Sequence, residues 1–302
     1  MKPPTPEANH YIDRAAIKTL MGNPQVSTLA MEGTISGYHK NNLKGSSVEF
    51  AEYREYTPGD DLKRLDWRVL GRTERFYLKE FEADTNLHCY FLLDSSSSMK
   101  FGKEISKLEY GKKIIGTLSY LFLQQGDAVG MHLSGEIPSA TSIAKRNPAQ
   151  LHTILQALLY GKAEGDQKIS SSMHEIAESS GVRSLIIIVS DFLDDADAIK
   201  QAIYHCKERK QQLVLFHLLD EQEEHFDFRQ PTRFVDLENE NVVISDPKTV
   251  REDYLHALQS HILSIRKGCL ETQSSYHKIT TKLSLSDGLT PFATDPNFSS
   301  KR

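Results

Sequence analysis

The segment SLIIIVSDF, residues 184–192, is apolar at consecutive positions until it reaches Ser190 and Asp191. The segment HCYFLLD, residues 88–94, has the same form and ends in Asp94. Strands that are apolar throughout are typical of a sheet covered on both faces, because an exposed face would carry polar residues. We therefore predict that both segments are buried strands of a mostly parallel sheet.

Amphipathic helices separate these strands along the chain. Apolar residues recur at helical spacing from Ile105 to Phe122, and Gly126 closes that helix. A third buried strand, QLVLFHL at residues 212–218, follows another predicted helix. This alternation predicts an α/β fold with a doubly wound sheet flanked by helices. Such sheets place their binding sites at the carboxyl ends of strands.

The composition excludes several classes of protein. The chain has 36 Lys and Arg against 41 Asp and Glu, a formal net charge of -5, which argues against wholesale binding to nucleic acid or to an anionic membrane. No apolar run of about 18 residues is present, so no transmembrane helix is expected. Because a secretory pattern and a disulfide framework are also missing from the sequence, we expect a reduced, cytoplasmic protein.

A serine-rich loop, residues 94–98, follows the first apolar strand. Its pattern presents the carboxylate of Asp94 and the hydroxyls of Ser96 and Ser98 at alternating positions. These oxygen ligands suit a hard divalent cation such as Mg²⁺, and Asp191 at another strand end would complete or support the site. Such a cation would remain electron-poor and would accept an acidic group from another molecule. Serine and aspartate at this position also commonly cap the next helix, so both interpretations stay open.

A densely charged segment, EYREYTPGDDLKRLDWR at residues 52–68, surrounds the single tryptophan. One interpretation is a structural scaffold of ion pairs, which we favour. The other is a partner-binding patch, since Trp and Arg are enriched at interaction hot spots. The candidate residues of this segment are Glu52, Arg54, Asp60, Asp61, Arg64, Asp66 and Trp67.

Sequence motifs of common enzymes are missing. The chain has no G-x-S-x-G nucleophile elbow, no G-x-x-x-x-G-K-[ST] phosphate loop and no H-E-x-x-H zinc motif. We therefore predict a non-enzymatic protein without catalytic residues. The alternative is a metal-dependent hydrolase that uses the acids from Glu49 to Asp66. It requires these acids to converge with Lys63 in an open cleft rather than to pair with arginines.

Two further features are predicted to be structural. His88, His132 and His217 lie in apolar strands, and we expect them to be satisfied core residues rather than ligands. Residues 221–224, EQEE, are predicted to form a solvated surface turn.

The charged segment, the stretch FLLDSSSSM at residues 91–99 and the stretch SDF at residues 190–192 together resemble a known family. The chain is similar to the bacterial domain-of-unknown-function 58 family, whose members carry a von Willebrand factor A (vWA) domain. The resemblance implies a vWA or Rossmann-like doubly wound sheet with a smaller, partly β N-terminal region. It divides the chain into an N-terminal helix with the charged β-rich region (1–85), a vWA-like domain (86–290) and a C-terminal tail (291–302).

The resemblance also implies ligands and a partner. Asp94, Ser96 and Ser98 match the triplet of the metal-ion-dependent adhesion site of vWA domains, and Asp191 matches its distal aspartate. The expected ion is Mg²⁺, with Mn²⁺ or Ca²⁺ as alternatives. The expected partner is a protein, because the family often acts beside MoxR-type AAA+ ATPases in chaperone-like or complex-assembly roles. Neither a nucleic-acid partner nor membrane insertion is expected.

One position departs from the family pattern. Gln167 stands where the family usually has a threonine ligand, and glutamine offers a carbonyl oxygen but no hydroxyl. Asp166 or Ser170 would substitute if the loop shifted. A vWA scaffold without a functional metal site therefore remains an alternative to the adhesion site.

Overall fold

A computed structural model describes residues 8–22, 48–55, 69, 76–83, 87–134, 142–163, 167–226, 232–235, 242–245 and 247–295. In these ranges the chain forms one six-stranded sheet, two two-stranded sheets and helices packed against the larger sheet. Among the described helices, none has the length and apolar character that crossing a membrane requires.

The described helices are, in chain order, α1 (Arg14–Gly22), α2 (Lys107–Gln124), α3 (Ala149–Tyr160), α4 (Ile169–Ser179), α5 (Ala196–Glu208), α6 (Glu221–His225), α7 (Pro247–Thr272) and α8 (Leu285–Ala293). The described strands are β1 (Val48–Glu55), β2 (Tyr77–Ala83), β3 (His88–Leu93), β4 (Ala128–Leu133), β5 (Ser142–Lys145), β6 (Leu185–Ser190), β7 (Gln212–Leu219), β8 (Thr232–Val235), β9 (Val242–Ser245) and β10 (Ser275–Thr280). Short 3₁₀ helices cover Ala8–Tyr11 and Ser97–Lys100.

The larger sheet has the strand order β10-β7-β6-β3-β4-β5. Counted within this sheet from β3, the order is 3-2-1-4-5-6, which is that of doubly wound α/β folds. Strand β3 is parallel to β4 and β6, and β7 is parallel to β6 and β10, while the edge strand β5 is antiparallel to β4. The strand order reverses between β3 and β6, which is where such sheets bind ligands.

Strand β6 shows why this sheet is covered on both faces. Leu185, Ile187 and Val189 pack in one apolar cluster with α2 and α3, whereas Ile186 and Ile188 pack in a second cluster with α4, α5 and α7. Because successive strand residues point to opposite faces, a strand buried on both sides has to be apolar at every position. The predicted α/β fold, with a mostly parallel sheet flanked by helices, is confirmed.

Most predicted elements agree with the structure to within a few residues. Strand β6 is shorter than predicted because Asp191 and Phe192 leave the sheet. The antiparallel strand β5 was not predicted, since four residues are too few to show a periodic pattern. Helix α8 was also not predicted from the sequence.

Helix α1 begins at an aspartate. The Asp13 carboxylate accepts hydrogen bonds from the backbone amides of Ala15 and Ala16 at 2.9 and 3.0 Å, which makes it the N-cap. The amide of Asp13 donates to the hydroxyl of Thr117 in α2 at 3.0 Å. Helix α1 is therefore fixed to α2, and its buried residues belong to the same cluster as α2 and α8.

Helix α2 approaches the N-terminal 3₁₀ helix most closely at Gly116. A β-carbon at Gly116 would lie 2.5 Å from the carbonyl oxygen of Tyr11 and 2.9 Å from its Cβ. A backbone oxygen cannot move aside as the end of a side chain can. Glycine at this position therefore permits the contact between the two helices.

We expect Gly116→Ala to lower the free energy of unfolding by about 1–3 kcal/mol, because overpacking outweighs the better helix propensity of alanine, about 1 kcal/mol. Gly181→Ala is the control, since nothing lies within 4 Å of a β-carbon at that position. Urea denaturation followed by circular dichroism measures both variants. An unchanged stability of Gly116→Ala would contradict the close approach.

Candidate functional site

The serine loop and Asp191 lie at the same edge of the sheet, at the point where the strand order reverses. Asp94 follows β3 and Asp191 follows β6, and these two strands are parallel neighbours. The amide of Asp94 donates to the carbonyl of Val189 at 2.9 Å, so the pairing of the strands continues up to the loop. Both acids therefore leave the sheet side by side.

The carboxylate of Asp94 is buried and held by neutral donors. It is 2% exposed, and its Oδ1 accepts from the amide of Ser96 at 2.9 Å and from the hydroxyl of Ser134 at 3.2 Å. Its Oδ2 accepts from the hydroxyl of Ser190 at 2.5 Å. Burial, followed by the nearby carboxylate of Asp191, raises the pKa of Asp94 to about 6, although the hydrogen bonds from Ser190 and Ser96 oppose the shift. A cation beside Asp94 would favour its charged form.

The hydroxyl groups of Ser96 and Ser98 hydrogen-bond to each other at 3.0 Å, and both side chains are half-buried. Adjacent oxygen ligands of Mg²⁺, each at 2.0–2.1 Å in an octahedron, are about 2.9 Å apart. The spacing of the two hydroxyls thus fits one edge of such an octahedron.

Helix capping does not account for the serine loop. Ser96 is the N-cap of the 3₁₀ helix Ser97–Lys100, but its side chain makes no capping hydrogen bond. The next long helix, α2, is capped by Ser106, whose hydroxyl accepts from the amide of Glu109 at 3.2 Å. The hydroxyl of Ser96 instead hydrogen-bonds to the hydroxyl of Ser98, so the two oxygens are held side by side.

Two serines that the sequence reasoning did not assign hold the loop in place. The amide of Ser95 donates to the hydroxyl of Ser134 at 2.9 Å, and its own hydroxyl donates to the carbonyl of Ser134. Ser190 donates to Asp94 and accepts from the amide of Phe192 at 2.7 Å. Ser134 and Ser190 each lie at the end of a buried strand, the same signal that identified Asp94 and Asp191.

Asp191 is paired with a buried lysine. Its Oδ2 accepts from Nζ of Lys107 at 2.7 Å, and its Oδ1 accepts from the amide of Leu193 at 3.2 Å. Nζ of Lys107 also donates to Oε1 of Glu223 at 2.6 Å. Burial lowers the pKa of Lys107, but the carboxylates of Asp191 and Glu223 outweigh burial and raise that pKa overall. The ammonium group therefore stays charged inside the protein.

Glu223 is fixed by the short helix α6. Its Oε2 accepts from the amide of Asp220 at 2.9 Å, while the Asp220 carboxylate accepts from the amide of Gln222 at 2.9 Å, which completes a capping box. Residues 221–224 belong to helix α6 rather than to a turn. Their predicted solvation is wrong for Glu223, which pairs with Lys107 and is only 16% exposed, but not for Glu221, whose side chain is 47% exposed.

The side chains that would supply the missing threonine oxygen have other partners. Nε2 of Gln167 donates to Glu175 in α4 at 2.7 Å. Ser170 donates to Oδ2 of Asp194 through its amide at 3.1 Å and its hydroxyl at 2.5 Å. Asp166 lies outside the described residues. A metal role for Gln167 or Ser170 would require these bonds to change.

Most of the charged segment lies outside the described residues. Glu52 and Arg54 belong to β1, where Glu52 is opposite Glu80 and Arg54 is opposite Leu78 in β2. The remaining candidates lie beyond the described ranges: Asp60, Asp61, Arg64, Asp66 and Trp67. Their pairing with arginines and the alternative hydrolase cleft stay predictions.

The donor set at the strand ends differs from an acidic metal cluster. In the described part of the chain, no three His, Cys, Asp or Glu side chains come together as a metal-binding group. The serine loop instead combines the carboxylate of Asp94 with the hydroxyls of Ser96 and Ser98. These ligands fit a hard divalent cation that keeps several of its waters.

His217 lies beside Ser190 in the register of β6 and β7. It is fully buried, its Nδ1 lies 2.8 Å from the hydroxyl of Tyr276, and its Nε2 has no hydrogen-bond partner in the described structure. Burial lowers the pKa of His217 to about 3. The predicted core position is thus confirmed for His217, although one ring nitrogen is unsatisfied, whereas His88 is exposed and its predicted core position is wrong.

We expect His217 to make the fold less stable as pH falls. Its pKa is about 3 in the folded state against the ordinary histidine value of 6.5, so the unfolded state binds more protons between these values. Each unit of pH decrease in that window costs up to about 1.4 kcal/mol. His217→Asn keeps an acceptor or donor for Tyr276 without titrating, so its stability should fall less steeply between pH 6.5 and 4.

Urea denaturation at a series of pH values measures this difference between the two proteins. The comparison with the variant removes the contribution of the acidic residues, which titrate in both. Parallel stability curves would contradict the assignment of a neutral, buried His217.

Comparison with protein-family models identifies the family of the chain. The model described as "Protein of unknown function DUF58" matches residues 52–263. Among curated proteins, "Uncharacterized protein Rv1480" of Mycobacterium tuberculosis (strain ATCC 25618 / H37Rv) is 25% identical over 169 residues, 54% of this chain and 53% of that protein. The chain thus spans about half the length of this relative.

Two solved structures are similar at low sequence identity. The conserved hypothetical protein BatB from Bacteroides thetaiotaomicron has a TM-score of 0.48 and 17% identity, covering 72% of this chain and 100% of that chain. The SpRpn10 VWA domain has a TM-score of 0.40 and 13% identity, covering 68% and 94%. The strand order of the sheet, rather than these distant likenesses, carries the fold assignment.

Proposed function

Since the chain belongs to the family described as DUF58, we propose that it is a non-enzymatic module for protein–protein interaction. Its vWA-like fold in a family of unknown function is compatible with such a module. The proposed site is the serine loop, where a divalent cation, Mg²⁺ first and Mn²⁺ or Ca²⁺ as alternatives, would link the protein to an acidic residue of a partner.

The observation that carries this proposal is the pair of hydroxyl groups of Ser96 and Ser98, 3.0 Å apart and next to the buried carboxylate of Asp94. Ser96 is the N-cap of a 3₁₀ helix, but its hydroxyl makes no capping hydrogen bond. When bound, a divalent cation supplies a Lewis-acidic centre for a carboxylate. The protein supplies one nearby negative charge and two neutral oxygens, and Ser134 and Ser190 hold that charge in position.

The charge of the site supports an acidic partner. Asp94 is held by neutral donors, whereas the second strand-end acid, Asp191, is already compensated by Lys107. A divalent cation beside Asp94 would therefore keep a positive excess, which favours an additional carboxylate. This is why we propose an acidic residue of the partner as the completing ligand.

We further propose a MoxR-type AAA+ ATPase as the partner, with this chain as its adaptor or chaperone-like companion. The family resemblance supports this choice. The sequence also lacks a phosphate-binding loop, so a role in ATP-driven assembly would depend on a partner that hydrolyses ATP.

Titration with MgCl₂ in a calorimeter tests the metal part of the proposal. We expect binding by the wild type and none by Asp94→Asn, because asparagine keeps the shape of the side chain but removes its charge. The matched control is Asp197→Asn, which removes a carboxylate that is 79% exposed in the first turn of α5 and should bind like the wild type. If neither the wild type nor Asp94→Asn binds Mg²⁺, the proposed metal site is contradicted.

Binding of a purified MoxR-type ATPase to the immobilised chain tests the partner. We expect binding that requires Mg²⁺, that EDTA abolishes, and that is lost when Ser96 and Ser98 are both changed to alanine. Ser171→Ala, an exposed serine of α4, is the control and should retain binding. Binding that persists in EDTA and in the double variant would show that the ATPase does not use the serine loop.

A further inference from the structure

Lys107 occupies a position that local structure does not explain. It is the first residue of α2, where the helix dipole opposes a positive charge. It is also 0% exposed, although burying an ammonium group is unfavourable unless it is paired. A residue that breaks local rules in this way points to a role in a site.

The surroundings of Lys107 connect it to the proposed cation site. Its Nζ lies 2.7 Å from Asp191 and 2.6 Å from Glu223, and it lies 5.8 Å from the centre of the Phe101 ring. Asp191 follows the strand adjacent to the one that ends at Asp94. The ammonium group therefore neutralises the carboxylate that would otherwise add a second negative charge beside the serine loop.

We propose that Lys107 is a built-in counter-ion that competes with the divalent cation for Asp191 and so sets the metal affinity of the serine loop. This inference rests on the proposed function, because it concerns the same site. Lys107 is a positioning residue, since it acts through Asp191. Its effect is to keep the site weakly binding until a partner carboxylate completes it.

Glu223 adjusts the strength of this competition. Because it offers a second carboxylate 2.6 Å from Nζ, the ammonium group keeps a partner when Asp191 turns towards a divalent cation. The backbone amide of Asp220 fixes Glu223 from the other side at 2.9 Å. Without Glu223, Lys107 would depend on Asp191 alone and hold it more firmly.

Two substitutions should therefore change Mg²⁺ affinity in opposite directions. We expect Lys107→Met to bind Mg²⁺ at least tenfold more tightly than the wild type, because Asp191 is freed. We expect Glu223→Gln to bind several-fold more weakly, because Asp191 becomes the single charged partner of Lys107. Lys112→Met is the matched control: Lys112 is also buried in α2 and pairs with Glu109 at 2.7 Å. Its substitution should leave the affinity unchanged.

Calorimetric titration of the full chain with MgCl₂ measures these affinities, and thermal melting with and without Mg²⁺ gives a second readout. Lys107→Met leaves Asp191 buried without its cation, so Mg²⁺ should raise its melting temperature more than that of the wild type. Wild-type affinity in both Lys107→Met and Glu223→Gln, or weakening in both, would overturn the proposal.

A double variant separates competition from damage to the fold. Lys107→Met with Asp191→Asn removes both charges, so it should fold without Mg²⁺ and lack the tenfold gain. A gain as large as that of Lys107→Met alone would overturn the proposal, because it would not come from Asp191. If Lys107→Met does not fold, the Mg²⁺ affinity of Glu223→Gln decides between the outcomes. Binding of Mg²⁺ by Glu223→Gln that equals or exceeds that of the wild type overturns the proposal.

The two proposals fail in different ways. If the wild type does not bind Mg²⁺ but Lys107→Met does, the proposed metal site of the wild type is contradicted and the proposed competition by Lys107 is supported. If the wild type binds and Lys107→Met binds equally well, the proposed function stands and the competition fails.

Discussion

The carboxylate of Asp94 is withdrawn from water at the end of β3, and a buried negative charge needs donors that the fold itself supplies. The amide of Ser96 and the hydroxyls of Ser134 and Ser190 supply them, from the loop and from the ends of the two strands beside β3. Strand pairing has to bring all three strand ends to one edge for this to happen. The doubly wound sheet and the geometry of the serine loop are therefore parts of one arrangement.

The two strand-end acids are stabilised in different ways, so only one of the two negative charges is compensated by a cation of the protein. Neutral hydroxyl and amide groups surround Asp94, whereas Asp191 pairs with the ammonium group of Lys107. Hydrogen bonds from neutral donors leave the charge of Asp94 uncompensated, so a cation would still be attracted to it. Two acids that look equivalent at the ends of two strands thus have distinct roles.

The sequence predicts the features that depend on local pattern. The apolar runs of β3 and β6 identify buried strands, and their terminal acids identify the edge where a site would form. The partners of those acids could not be predicted, because Lys107 meets Asp191 across 84 residues of chain and Glu223 across 116. Nothing in the local spacing of Lys107 shows that its side chain is buried. The acids of residues 221–224 were predicted to be solvated for the same reason, since their lysine partners, Lys107, Lys278 and Lys282, are distant in sequence.

The proposed interaction site depends most on a divalent cation bound by the serine loop. Anomalous diffraction from crystals soaked in MnCl₂ tests this directly, because Mn²⁺ takes oxygen ligands of the same kind as Mg²⁺. We expect a peak within ligand distance of the hydroxyl oxygens of both Ser96 and Ser98. A loop without a peak at saturating MnCl₂, in crystals that leave it open to solvent, would contradict it.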